Sequence, residues 1–270
     1  MSWIEALFIG FIQGISEFLP ISSSAHLLIF EKLLKINMSD SPLTFEVFLH
    51  LASLLAVLLY FRKDVLKLLQ GSYQYLFKKD QRSEGDFRFT ALMAASTLIT
   101  MIVGKLMEGW FGDSITNTAT IGAALIITGI FLILIEHGVN EGLRGPKEIT
   151  WGHAVLIGLG QALAVIPGIS RAGSTLVVAL WCDLNKETAL RYSFLLSIPI
   201  ISGITLLKLP EIIGQFTDGV GLELWLAFIS SFLFAIISIK WLIAMVQKAK
   251  LSYFAVYCIS LGLITWIFLT

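Results

Sequence analysis

Near the start of the chain, the run Gln13-Gly14-Ile15-Ser16-Glu17-Phe18-Leu19-Pro20-Ile21-Ser22-Ser23-Ser24-Ala25-His26 places a carboxylate, hydroxyls and an imidazole in an otherwise apolar stretch. Ionisable side chains in such a stretch are costly and usually face a cavity or a partner, so Glu17 and His26 define a candidate functional site. Gln13 and Glu17 are four residues apart and share a helical face, where they can jointly contact one cation or one proton-bearing group. The structural alternative is a capping or interhelical hydrogen bond. Pro20 ends the first helix, and the serines after it can cap a second helix whose free N–H groups would receive an anion. Ser22 and Ser23 precede His26 by four and three residues, so at least one hydroxyl can face the imidazole. That spacing suits an activated serine, and equally a serine that only orients the histidine.

A second run, Pro167-Gly168-Ile169-Ser170-Arg171-Ala172-Gly173-Ser174-Thr175, supplies the cation that the first lacks. Hydroxyls, a guanidinium and a helix N-terminus at a glycine-bearing turn form a phosphate cradle, because backbone N–H groups and a bidentate fork both match phosphate oxygens. The alternative is an arginine snorkelling to the membrane interface. Glu46 and His50 share a face of the third apolar segment and either line the same pocket or make a packing hydrogen bond. His137 and His153 read as solvated or interfacial. Cys182 and Cys258 read as small buried hydrophobes, with no metal-ligand spacing between them.

These groups are positioned by an apolar chain of 270 residues, 56% hydrophobic and 14% charged, with a mean hydropathy of +0.84. A soluble domain carries roughly 25% charged residues, so the composition predicts an all-α polytopic membrane protein. The 19 basic and 19 acidic residues balance, which leaves no global field for nucleic acid. A cleaved signal peptide is not expected: there is no basic n-region, and Glu5 and Glu17 interrupt the start. Candidate segments are 3–19, 22–36, 43–61, 88–106, 118–136, 151–166, 172–182, 188–207, 222–246 and 251–269. Two pairs are short and broken at Pro20 and at Pro167–Gly173, at corresponding places in the chain. That pattern predicts an inverted-topology repeat with two re-entrant helical hairpins, about six full crossings, and a site near the midplane. Gly10, Gln13 and Ser22 repeat the spacing of Gly158, Gln161 and Ser170, which sets repeat halves at approximately 1–137 and 150–270 within a single membrane domain.

The 62–88 loop carries Arg62, Lys63, Lys67, Lys78, Lys79, Arg82 and Arg88, and the turns near 137–150 and 247–251 add Arg144, Lys147, Lys248 and Lys250. By the positive-inside rule these are cytoplasmic. Glu108, Asp113, Glu211, Asp218, Glu223 and both termini are then extracytoplasmic. Tyr73 to Phe77, with the lysines beside it, reads as an amphipathic interfacial helix.

Gln13-x-x-x-Glu17, Pro20-Ile-Ser-Ser-Ser-Ala-His26 and Pro167-Gly-Ile-Ser-Arg-Ala-Gly-Ser-Thr175 resemble the signatures of the undecaprenyl-diphosphate phosphatases, the bacitracin-resistance proteins. The resemblance covers essentially the whole chain. It implies hydrolysis of a polyprenyl diphosphate lipid, C55 undecaprenyl diphosphate, to the monophosphate and inorganic phosphate. It also implies dependence on a divalent cation (Mg or Ca), location in the bacterial inner membrane, a site open toward the extracytoplasmic face, and a fold that is often a homodimer. By motif position, Glu17, Ser23, His26 and Arg171 are the implied catalytic group. Ser22, Ser24, Ser170, Arg171, Ser174 and Thr175 are the implied phosphate ligands, and Gln13 with Glu17 the implied metal ligands. Helix geometry, with Ser23 and His26 three residues apart, ranks Ser23 first as nucleophile with His26 or a water as the alternatives, His26 as base or proton shuttle, Glu17 as cation ligand and Ser22 as N-cap. Gln13 stands where the family more often has Glu, Ala25 where it has Gly, and Ala172 where it has Ser. A transporter or lipid flippase would share the repeat and use Glu17 for ion coupling. An acid-phosphatase-type enzyme would need a histidine where Val177 stands.

Overall fold

The computed structural model describes residues 1–34, 42–111, 117–138, 142–217 and 221–269. Asp113 and Asp218, the end of the second segment at 35–36 and part of the basic turn at 139–141 lie outside the described residues. Among the described residues the chain is helical, with one isolated bridge between Arg144 and Leu184. In chain order the α-helices are α1 (Trp3–Phe18), α2 (Ser23–Leu34), α3 (Pro42–Tyr60), α4 (Arg62–Lys78), α5 (Glu84–Phe111), α6 (Thr118–Gly138), α7 (Trp151–Ala162), α8 (Arg171–Trp181), α9 (Lys186–Leu207), α10 (Leu209–Thr217), α11 (Leu222–Gln247) and α12 (Ser252–Phe268).

Among the described residues, α5, α6, α9 and α11 are each long and apolar enough to cross a membrane, and α3 with α4 adds a fifth span if that pair, bent by 78°, is counted as one. The 17 residues of α12 fall just short by length. The 11 residues of α8 are far too few, since at about 1.5 Å per residue they cover roughly half of a ~30 Å hydrocarbon core. Burial supports a membrane setting. Large apolar side chains such as Leu98, Ile102, Ile229, Leu233, Ile237 and Ile264 are exposed, while Gln13, Glu17, Ser53, Ser96, Gln161 and Ser231 are buried. The chain is therefore an all-helical, multi-pass membrane protein.

Local sequence accounts for the breaks. Pro20 follows α1, and Ser22 takes a left-handed φ of 68°, which turns the chain into α2. Ser170 caps α8 by accepting from the Gly173 N–H at 3.1 Å. Thr150 and Asn185 cap α7 and α9 in the same way. The interfacial helix expected near Tyr73–Phe77 is longer than its aromatic core: α4 presents Leu66, Leu69, Tyr73, Leu76 and Phe77 outward over its whole length.

Small residues let the short helices press against long ones. A Cβ at Gly14 of α1 would overlap the Ser231 carbonyl of α11, and one at Gly158 of α7 would meet the Ser96 carbonyl of α5 at 2.7 Å. The two turns then touch. The Ser22 hydroxyl accepts from the Gly168 N–H at 3.1 Å, and the Ser170 hydroxyl donates to the Leu19 carbonyl at 3.4 Å. Each turn is also held by a long helix. On α6, Thr128 donates to the Gly168 carbonyl at 2.9 Å and accepts from the Ser170 N–H at 3.3 Å. On α12, the Cys258 thiol lies 3.6 Å from the Pro20 carbonyl. Gly168 has a φ of 107°, and a Cβ there would sit 2.6 Å from that of Ala124, so only glycine fits between turn and helix.

Candidate active site

Glu17 stands in the last turn of α1, 6% exposed, and its two oxygens are used differently. Oε1 accepts from Arg171 Nη2 at 2.8 Å across the two turns. Oε2 accepts from Ser23 Oγ at 2.8 Å and from Gln13 Nε2 at 2.9 Å, and lies 3.1 Å from His50 Nδ1. A buried carboxylate is costly unless paired and hydrogen-bonded, and this one is both. Arg171 opens α8 with its guanidinium 5.6 Å from the centre of the Phe18 ring. Its Nη1 is buried with no hydrogen-bond partner among the described residues, and so is Gln13 Oε1.

The serine–histidine pairing expected from spacing takes another form. Ser23 donates to Glu17. The His26 imidazole lies with Nδ1 2.7 Å from the Ser22 carbonyl and Nε2 2.7 Å from the Tyr257 hydroxyl, and its ring is stacked on Tyr257 at 5.6 Å. A carbonyl only accepts, so Nδ1 carries the proton, and in the neutral ring Nε2 accepts from Tyr257. Both ring nitrogens are then occupied, and the proton acceptor nearest Ser23 is Glu17.

The expected phosphate ligands divide in two. Ser22 is spent on Gly168 rather than on capping α2, and Ser170 caps α8. Thr175 is fully buried and bonded to the Arg171 and Ala172 carbonyls and to Ser193. Ser24 and Ser174 are half-buried. Ser174 also lines an apolar groove with Phe131, Leu132, Leu163, Val177 and Trp181, between α6, α7 and α8.

Two side chains join the site that the sequence motifs did not assign to it. His50 of α3 reaches Glu17 and Gln13, with its Nε2 3.5 Å from Glu46 Oε1 one turn earlier. Its four-residue spacing from Glu46 was the available signal. Tyr257 carries no local signal, being 231 residues from His26. Among the described residues no group of three or more His, Cys, Asp or Glu side chains is arranged to hold a metal ion. A cation here would therefore need the Gln13 amide.

Fold and site together define a polytopic helical membrane protein with a carboxylate, guanidinium and imidazole gathered where two helical hairpins touch. The family model described as "Bacitracin resistance protein BacA" matches residues 6–264, and the chain belongs to that family. The chain is 45% identical over 270 residues to undecaprenyl-diphosphatase 2 of Halalkalibacterium halodurans, with 99% of this chain and 96% of the relative covered. It is 42% identical to undecaprenyl-diphosphatase 1 of Shouchella clausii, covering 99% and 97%. Against undecaprenyl-diphosphatase of Oceanobacillus iheyensis it is 39% identical, covering 97% and 94%.

Proposed function

We propose that this protein hydrolyses undecaprenyl diphosphate to undecaprenyl phosphate and inorganic phosphate in the bacterial inner membrane. The reaction recycles the carrier lipid for cell-wall synthesis and confers bacitracin resistance. One observation carries the reading beyond the family: Arg171 uses Nη2 on Glu17 and keeps Nη1 buried and unpaired at the N-terminus of α8. An unpaired guanidinium donor beside free helix N–H groups suits a phosphate oxygen.

In this reading the terminal phosphate sits between Arg171, Ser174, Ser24 and Ser23. Ser23 Oγ attacks the terminal phosphorus while its proton passes to Glu17, and the bridging P–O bond breaks to release the lipid monophosphate. Water then frees the phosphate from Ser23, with His26 and Tyr257 relaying protons. Arg171 stabilises the charge that gathers on the equatorial oxygens. Gln13 and Glu17 are the groups that would hold a divalent cation, and the unpartnered Gln13 Oε1 fits that role. Such a cation supplies Lewis-acid neutralisation of the diphosphate oxygens. The apolar groove beside α8 suits the first isoprene units.

The same reading takes the halves 1–137 and 150–270 as an inverted repeat with two re-entrant hairpins and six crossings, α3 and α12 joining the four long spans. In its support, α1 packs on α11 through Gly14 as α7 packs on α5 through Gly158. The reading takes the basic loops as cytoplasmic and, as the family resemblance implies, the site as open toward the extracytoplasmic side.

The test is phosphate release from C55 diphosphate by protein purified in detergent. Release should stop with chelator and return with Mg²⁺ or Ca²⁺. Arg171→Lys should lose roughly 10²-fold in kcat, because a point charge cannot replace a fork at the developing transition state. Substrate movement without phosphate release would replace the reading with transport.

A further inference from the structure

We propose that His50 is the third protein ligand of the cation site, through Nδ1, with Gln13 and Glu17 as the other two. The inference rests on the cation dependence proposed above and extends it to a residue outside both signature motifs. It starts from a triangle. The Gln13 amide terminus lies 2.9 Å from Glu17 Oε2 and 3.0 Å from His50 Nδ1, and His50 Nδ1 lies 3.1 Å from Glu17 Oε2.

Three mutually touching polar atoms cannot alternate donor and acceptor. If the amide N–H faces both neighbours, an unprotonated Nδ1 confronts the carboxylate as acceptor against acceptor. If Nδ1 carries its proton, it confronts the amide N–H as donor against donor. If the amide is turned over, its oxygen confronts the carboxylate. With Glu17 ionised, one edge is repulsive in every state of the amide and the imidazole. A small cation removes the conflict, because all three atoms then offer lone pairs to it.

The dimensions agree. Octahedral bonds of about 2.1 Å place adjacent ligands about 3.0 Å apart, and the three edges match one face of such an octahedron. Gln13 is fully buried, and its Oε1 is unpartnered where it now points. Turning the amide brings that oxygen to the shared vertex. His50 is oriented as a ligand would be: Nε2 lies 3.5 Å from Glu46 Oε1, where a carboxylate can take the ring proton when Nδ1 gives its lone pair to a cation shared with Gln13 and Glu17. The groups facing the imidazole are thus Glu46 from its own helix, and Gln13 and Glu17 from α1, with Arg171 and Ser23 beyond on Glu17.

A nitrogen in the set favours Mn²⁺ over Ca²⁺, compared with an all-oxygen site. The experiment uses Mn²⁺ alone as probe on the full chain in detergent, without substrate. Electron paramagnetic resonance counts bound Mn²⁺, and spin-echo modulation reports imidazole ¹⁴N. Wild type should bind Mn²⁺ saturably with ¹⁴N coupling, and His26→Ala should keep that coupling. His50→Ala should lose the coupling and weaken binding by more than about 10-fold. His50→Gln, which keeps a carbonyl ligand and guards against a folding failure, should bind without coupling and shift its preference several-fold toward Ca²⁺. Saturable binding with no ¹⁴N signal, or a signal that survives in His50→Ala, overturns the assignment of His50 and leaves the cation reading standing. No saturable binding, together with phosphate release insensitive to chelator, overturns both.

Discussion

At the scale of single residues, spacing along a helix put polar side chains on a shared face but did not give their partners. Ser23 and His26 do share a helix, yet Glu17 claims the Ser23 hydroxyl and Tyr257 claims the imidazole. The first contact reaches back across the Pro20 turn, six residues away, and the second spans 231 residues, so helical periodicity encodes neither. Ser22, Ser170 and Thr175 teach the same lesson, since their motif positions suit phosphate while their hydroxyls hold the turns and α8 in place. Tyr257→Phe should therefore lower kcat by roughly 10-fold or more while leaving KM and thermal stability close to wild type. It deletes the donor that sets His26 Nε2 and keeps the stacked ring. Ser23→Ala should abolish turnover, and burst kinetics in wild type should detect the phosphoserine. Substantial turnover in Ser23→Ala would pass the attack to water, with Glu17 as its base.

At the scale of elements, most of the architecture was legible. Apolar runs and the two breaks at Pro20 and at Pro167–Gly173 place most of the helices within a few residues. The breaks fall between α1 and α2 and between α7 and α8, whose turns touch. The sequence did not reveal the partner of each hairpin, because close helix contacts depend on which small residues meet across the chain. The Gly14 contact on α11 is the clearest case. A larger side chain there must push α1 away from Ser231, and Glu17 sits one turn further on. Gly14→Val should cost ~1–3 kcal/mol of stability through overpacking and remove phosphate release, while circular dichroism keeps its helical signal. A variant with normal turnover would mean that α1 can shift without moving Glu17.

At the scale of the whole molecule, composition alone announced a membrane protein, and loop charge supplied an orientation. The basic ends cluster in space as they do in sequence: Arg88 at the start of α5 donates to the carbonyls of Lys147 and Ile149, 59 and 61 residues away. Gln70→Cys on α4 should react with an impermeant thiol reagent only in inverted vesicles, and Gly221→Cys before α11 only in intact cells. The reverse labelling would turn the protein over in the membrane and put the site's opening on the wrong side for the proposed reaction. The way the two turns are held bears on how the protein is made. The first turn is bonded to α12 through Pro20 and through His26, contacts that span 238 and 231 residues. During synthesis α1 and α2 emerge first, the second turn that bonds to theirs follows about midway, and the α12 contacts come almost last. The ribosome thus delivers a hairpin whose turn gains its last support, from α12, only when nearly the entire chain has been made, so the candidate site is among the last parts of the protein to be completed.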